Sequence, residues 1–325
     1  MKLRTPEMST STFEDLMREM FRLYEEKAYA DGLAMLVREA DRFSGHRSRT
    51  LFWCACFASL TGDSAGALQW LQTGVAEGEW FSPDQLRGDP DLKPLQGVAE
   101  FEHIVAYCEQ RLAEAEKEVA PDRRVLVPQN IAPPFPLLIA LHGYNVTQVY
   151  FETVHLDAWK PVVEMGWLLA SPRASQRAGP DSYAWRDTAR SLQEVYDHYT
   201  QVCMQYAIDP ERIVISGFSR GGALALELAL HARIPACGVI AVGPGAAVMR
   251  ELNAWLPTGD ARRARVYFVM GELDTPCLPE VNAMAGIFKS LGISYEIELH
   301  PNLGHEFPPT FEQSLKRALD FITQS

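Results

Sequence analysis

Residues 212–230 run from Arg-Ile-Val-Ile-Ser through Gly217-Phe218-Ser219-Arg220-Gly221-Gly222 into Ala-Leu-Ala-Leu-Glu-Leu-Ala-Leu. A β-rich apolar run, a serine set between glycines and a helix-forming apolar run follow one another directly, and few folds accept that succession. The bare pattern G-x-S-x-G arises by chance in many chains, but here it falls where a strand must turn sharply into a helix. A serine at such a turn takes a strained backbone conformation. Side chains two positions away from it would strike the neighbouring strand and helix, which accounts for the glycines. The hydroxyl is thereby exposed at the sheet edge, with a helix N-terminus behind it to favour developing negative charge. The strand–turn–helix context disfavours the bland reading of a serine that merely caps the helix.

The flanking sequence repeats the same alternation. From about residue 124 onward, strands are expected at 136–141, 167–171, 212–216, 238–242, 265–270 and 294–299. Helical stretches separate them at 152–165, 186–206, 220–231, 280–291 and 309–323. Most strand runs are almost continuously apolar, as suits parallel strands covered on both faces. The order predicts an α/β fold with a mostly parallel, doubly wound sheet. Ligands bind such sheets at the carboxyl ends of their strands.

The first third of the chain carries helical periodicity only. Apolar residues spaced three and four apart predict helices over 13–27 and 30–43, with a second pair over 49–60 and 64–75. Gly62 suits the left-handed residue that ends a helix, and Ser64 is the candidate cap of the next. Short helical signals over 81–95 precede a longer helix at 98–118. Gly32, Leu33 and Leu36 fall opposite Ala67, Leu68 and Leu71 under a shift of 35 residues. This partly resembles tetratricopeptide-type repeats, without the proline expected after the second helix; an unrelated helical bundle is the alternative. Two repeats bury little surface alone, so a protein partner or self-association through these helices is a further expectation. The domains are therefore set at 1–119, a small all-α region, and 120–325, the catalytic region.

Where a fold presents a serine in this way, an acid and then a histidine follow it in the chain. After the strand at 265–270 comes Gly271-Glu272-Leu273-Asp274, and Asp274 sits just past the strand end, where an orienting carboxylate belongs. Glu272 is its rival, closer to the strand. After the last strand comes His300-Pro301-Asn302-Leu303-Gly304-His305. His305 lies in a turn-rich loop, with Gly304 free to bend and aim the ring, whereas His300 reads as a satisfied strand-end residue. A serine hydroxyl is a poor nucleophile near neutrality, and a histidine with a pKa near 6.5 can take its proton and return it to the leaving group. His46, His103, His155, His198 and His231 fall in helical patterns or caps and read as surface or packing residues without a partner.

A tetrahedral intermediate needs two N–H donors. The expected pair is the amide of Arg220 and that of Tyr144, in the loop Leu141-His142-Gly143-Tyr144-Asn145 after the first core strand. Gly143 leaves room for the substrate carbonyl, and His142 beside it is expected to buttress the loop. The long loop 171–185, with Arg173, Arg177, Tyr183 and Trp185, is the candidate pocket wall. Arg173 and Trp185 join His142 and Gly143 as candidate substrate-binding residues. An arginine there would hold an acidic group on the substrate, against the alternative of a solvated surface charge.

Composition narrows the rest. The 325 residues carry a net charge of −12 with no basic patch, which disfavours a nucleic-acid partner. The six cysteines (Cys54, Cys56, Cys108, Cys203, Cys237, Cys277) are scattered through apolar patterns without zinc-type spacing, so no metal or cofactor is expected. No stretch reaches the roughly 18 uncharged apolar residues of a membrane span, and the amino terminus has no apolar secretion core. A cytoplasmic setting is the default expectation.

The region from about 122 to 325 resembles the phospholipase/carboxylesterase group of the α/β-hydrolase superfamily, near the acyl-protein thioesterases and dienelactone hydrolases. The resemblance rests on Leu-His-Gly-Tyr (141–144), Gly-Phe-Ser-Arg-Gly-Gly (217–222), Gly-Glu-Leu-Asp (271–274) and Gly-His-Glu (304–306). It implies metal-free hydrolysis of a carboxylic ester or thioester of a small to medium acyl group by Ser219, His305 and Asp274. Arg220 departs from the glutamine frequent in that group, and serine rather than cysteine at 219 departs from the dienelactone branch. Two other readings stand beside it. One is a peptidase on the same fold, which usually carries a larger gating domain. The other is an inert scaffold binding a protein through its helices, which has no need of all three residues.

Overall fold

The computed structural model describes residues 12–253 and 264–324. Residues 1–11, on which the expectation about the amino terminus falls, lie outside them. The chain divides after Glu118 into two compact units.

The first unit is helical. Helices α1 (Phe13–Glu25), α2 (Tyr29–Glu39), α3 (Arg47–Leu60) and α4 (Ser64–Ala76) follow one another, with a 3-10 segment at Ala40–His46. Then come the short α5 (Pro83–Gly88), a 3-10 segment at Pro90–Leu95, and α6 (Ala99–Ala115). Gly62 takes a positive φ of 86°, as a helix-ending residue should. The cap of α4, however, is Asp63, whose carboxylate accepts the Gly66 amide; Ser64 is the first helical residue. The helices expected at 30–43 and 49–60 are separated by the 3-10 turns rather than by coil. Gly32 is where α2 and α3 meet, since a Cβ there would lie 2.7 Å from the Phe57 ring.

The second unit is a seven-stranded sheet with helices on both faces. Its strands are β1 (Asp122–Leu126), β2 (Phe135–Leu141), β4 (Leu168–Arg173), β7 (Ile208–Phe218), β8 (Gly238–Val242), β9 (Arg265–Gly271) and β10 (Tyr295–His300). They lie in the order β1-β4-β2-β7-β8-β9-β10. All neighbours are parallel except β1, which closes one edge antiparallel to β4. Between the strands run α7 (Gln148–Tyr150), α8 (Leu156–Trp159), α9 (Pro161–Glu164), α10 (Thr188–Gln205), α11 (Arg220–Leu230), α12 (Ala246–Asn253), α13 (Leu278–Leu291) and α14 (Phe311–Thr323). The single helix expected at 152–165 is thus broken into short pieces around a π turn at Phe151–His155, with Pro161 opening the last of them.

The strand interiors are continuously apolar because both faces are covered. Their two-residue period still sorts the side chains. Leu137, Ile139, Ile213, Ile215, Val266 and Phe268 join the core shared with α10, α11 and α13. Their neighbours Leu138, Ala140, Val214, Ile240, Tyr267 and Val269 pack with Trp159, Leu315 and Leu319 on the other face. At roughly 1.5–3 kcal/mol for each large side chain buried, these two layers hold the strand ends in register.

The expected loop 171–185 is not plain coil. It contains β5 (Arg177–Gly179) and β6 (Ser182–Tyr183), which pair with β3 (Val146–Thr147) in a small antiparallel sheet. Among the described residues no helix is long and apolar enough to cross a membrane.

Candidate active site

Strand β7 delivers Ser219 to the carboxyl edge of the sheet, and α11 begins at the next residue. Ser219 has φ 54° and ψ −120°, a conformation that costs an ordinary residue on the order of 1–3 kcal/mol and that tertiary packing must hold. The glycines make it possible. A Cβ at Gly217 would lie 2.4 Å from the Gly221 carbonyl carbon, and one at Gly221 would lie 2.3 Å from the Leu141 oxygen and 2.4 Å from that of His142. The turn is therefore wedged between its own helix and the end of β2.

His305 and Asp274 arrive on the loops after β10 and β9. The Ser219 hydroxyl donates to His305 Nε2 at 2.9 Å, and His305 Nδ1–H donates to Asp274 Oδ2 at 2.8 Å. Asp274 is only 2% exposed, while the imidazole keeps about a third of its surface in solvent. The rivals lie elsewhere. Glu272 is exposed, and His300 Nε2 pairs with Glu298 Oε1 at 2.8 Å and lies 3.3 Å from Ser314 Oγ. The glycine that shapes this corner is Gly271 rather than Gly304. A Cβ at 271 would fall 2.3 Å from the Gly304 oxygen, whereas one at 304 meets nothing.

The loop after β2 carries His142, Gly143 and Tyr144, beside Ser219. A Cβ at Gly143 would stand 3.5 Å from that of Ser219. His142 is wholly buried and cannot reach a substrate. Its Nδ1–H donates to the Gly143 carbonyl at 2.8 Å, and its Nε2 accepts the Ala174 amide at 2.9 Å. Burial lowers its pKa to about 4, consistent with the neutral tautomer this pairing requires. Trp185, placed above as a pocket wall, is also fully buried: it stacks on His142 with ring centres 5.0 Å apart and donates its indole N–H to the His142 carbonyl at 3.0 Å. Both side chains brace the loop from behind.

Arg173 likewise points into the protein fabric. Its guanidinium lies over Tyr183, 4.1 Å from the ring centre, donates to Gln148 and stands 3.8 Å from Asp122. Arg220 sends its side chain away from the serine, donating to the Trp185 carbonyl and to Thr188 Oγ1, each at 2.8 Å. Its amide opens the first turn of α11, where N–H groups point out of the helix end.

Two neighbours escaped the sequence reading. His155 is buried, not partnerless: its Nε2 meets Ser171 Oγ at 2.9 Å, with burial pulling its pKa down to about 3. Cys277 opens α13 one helical turn after Asp274, and its Sγ lies 3.7 Å from His305 Nδ1. Burial first, and then the Asp274 carboxylate, push this thiol up to about 12. The spacing Asp-x-x-Cys at a helix start was the available signal. Among the described residues two groups have donors close enough to share a metal ion: Asp274 with Cys277 and His305, and Cys56 with Asp89 and Asp91.

A doubly wound sheet with a strained serine turn between β7 and α11 defines the class, an α/β-hydrolase. Within it, residues 175–324 match the family model described as Phospholipase/Carboxylesterase, a match that supports a carboxylesterase-type hydrolase. Residues 12–116 match a model described as an A/B hydrolase-like, N-terminal domain. A bifunctional acetylxylan esterase/xylanase of Neocallimastix patriciarum is 32% identical over 103 residues, 31% of this chain; the chain spans only 14% of that protein's length. An uncharacterized protein from Bacillus cereus ATCC 10987 is similar over 96% of this chain and 99% of its own, with 25% identity and a TM-score of 0.52. Esterase PE8 shares the fold over 63% of this chain and 100% of its own, with 18% identity and a TM-score of 0.51.

Proposed function

We propose that the protein hydrolyses a carboxylic ester or thioester of a small to medium acyl group through an acyl-enzyme on Ser219. The observation that carries this reading is the run of two hydrogen bonds from Ser219 Oγ through His305 to the buried Asp274. Ser219 Oγ attacks the carbonyl carbon as its proton passes to His305 Nε2. Asp274 keeps the other nitrogen protonated and stabilises the imidazolium that forms. The oxyanion is taken by the amides of Arg220 and Tyr144, each worth roughly 100- to 1,000-fold in rate. The imidazolium then protonates the leaving alkoxide or thiolate, and water repeats the sequence to release the acid.

The family match and the esterases among its structural neighbours support the ester reading. The test is labelling with a fluorophosphonate probe, together with turnover of p-nitrophenyl esters of increasing chain length. Labelling confined to Ser219, abolished in Ser219→Ala, and turnover that falls with long chains are expected. A folded chain that neither labels nor turns over any of these esters overturns the reading.

A further inference from the structure

Asp274, Cys277 and His305 each offer one ligand atom, and these lie within 4.8 Å of one another. Carboxylate, thiol and imidazole together form a donor set that favours zinc over magnesium or calcium. The spacing suits a tetrahedral ion. With Zn–N near 2.0 Å and Zn–S near 2.3 Å, two such ligands stand about 3.5 Å apart, and His305 Nδ1 and Cys277 Sγ are 3.7 Å apart. The Nδ1 to Oδ2 separation of 2.8 Å has to open to about 3.3 Å, a small swing for a ring with a third of its surface in solvent.

Two further observations point to a cation here. Asp274 Oδ1 is buried with no hydrogen-bond partner, an oxygen lone pair left unsatisfied inside the protein. Residue 243, beside the facing Asp274 Oδ2 and His305 Nδ1, is glycine and so puts no side chain against them. A Cβ there would stand 3.1 Å from Asp274 Oδ2 and 3.2 Å from His305 Nδ1.

We propose that Asp274, Cys277 and His305 form an inhibitory site for a soft divalent cation, zinc above all, which switches off the histidine as a base. The ion takes the Nδ1 lone pair, so the single imidazole proton moves to Nε2. The Cys277 thiol gives its proton to solvent and binds as thiolate. With Nε2 protonated, His305 has no lone pair for the Ser219 proton, and acylation stops. Chelation reverses each step. The inhibitory consequence rests on the proposed function; the binding itself does not.

Cobalt(II), added to the metal-free Ser219→Ala chain and to wild type, is the direct probe. One ion per chain is expected, with a thiolate-to-cobalt charge-transfer absorption that is lost in Cys277→Ala and Cys277→Val and kept in Cys56→Ala. Zinc is expected to inhibit ester turnover of wild type at a concentration at least tenfold below that needed for the Cys277 variants, each measured against its own metal-free rate. A wild-type chain without the thiolate band, a band that survives both Cys277 substitutions, or one that follows Cys56 overturns the proposal. A chain that shows the band but turns over no ester sinks the hydrolase reading and leaves the metal site standing.

Discussion

Replacing Asp274 by asparagine isolates the contribution of one buried charge. Its carboxylate accepts His305 Nδ1–H at 2.8 Å and is 2% exposed, so water screens it poorly. Charge on imidazolium and carboxylate is spread over each group, with centres roughly 4 Å apart. At an effective dielectric of about 20, that attraction is worth about 4 kcal/mol, or close to 1,000-fold in rate. The amide has two ways to sit, and both cost. With its oxygen toward Nδ1, the NH2 falls where Oδ1 now has no partner, burying unpaired donors at roughly 1–3 kcal/mol of stability. With its NH2 toward Nδ1, it holds the proton on Nε2, the wrong tautomer for a base, and the total loss approaches 10,000-fold. Steady-state turnover of p-nitrophenyl acetate should therefore show kcat down 1,000- to 10,000-fold with KM little changed. The rate of fluorophosphonate labelling should fall in parallel. A loss of less than about 30-fold in a variant that melts like wild type refutes the assignment of Asp274 as the orienting acid.

Three further outcomes are expected. Gly221→Ala puts a Cβ 2.3 Å from the Leu141 oxygen, where contacts under 3.0 Å are essentially never found, so the end of β2 must move by roughly 0.7 Å. Thermal melting should show a loss of about 1–3 kcal/mol, and kcat should drop at least 100-fold as the oxyanion loop shifts; wild-type kinetics would contradict the wedge. His142→Ala leaves the Ala174 amide and the Gly143 carbonyl without their imidazole partner. It should cost about 2–4 kcal/mol of stability and 10- to 100-fold in kcat, while unchanged kcat would show that the loop holds itself. Burial holds His142 and His198 at about 4 and His155 at about 3, below the ordinary 6.5, so the unfolded chain binds their protons first on acidification. Their stabilising contribution is complete above pH 6.5 and is lost as pH falls through 6 toward 4, by on the order of 1–3 kcal/mol each. The melting temperature should decline over that window, and a flat profile would show that these rings are protonated in the fold.

The elements themselves were largely legible. Continuous apolar runs marked the core strands, and β8 begins and ends at 238 and 242, as expected. Short or polar elements gave no such signal. The antiparallel edge strand β1, the small sheet of β3, β5 and β6, and the helix α12 are too short for periodicity to register. The helical cap moved by one residue because aspartate and serine are both good caps, and only backbone geometry chooses between Asp63 and Ser64.

For the site, the chain order and local chemistry of Gly217, Ser219 and Gly221 determined the turn, since a strained φ and close backbone approach are demands a sequence must meet with glycine. The same local reading picked out Asp274 and His305 from the ends of apolar runs. Which side chains face the serine is another matter, set by how separate strand ends stack. Arg173 and Trp185 carry the chemistry of a pocket wall, yet turn inward to Tyr183 and His142. Cys277, tied in sequence only to Asp274 by its Asp-x-x-Cys spacing, is brought 3.7 Å from His305, 28 residues away along the chain. Local strain is written in composition, but proximity between distant residues arises only when the sheet is assembled.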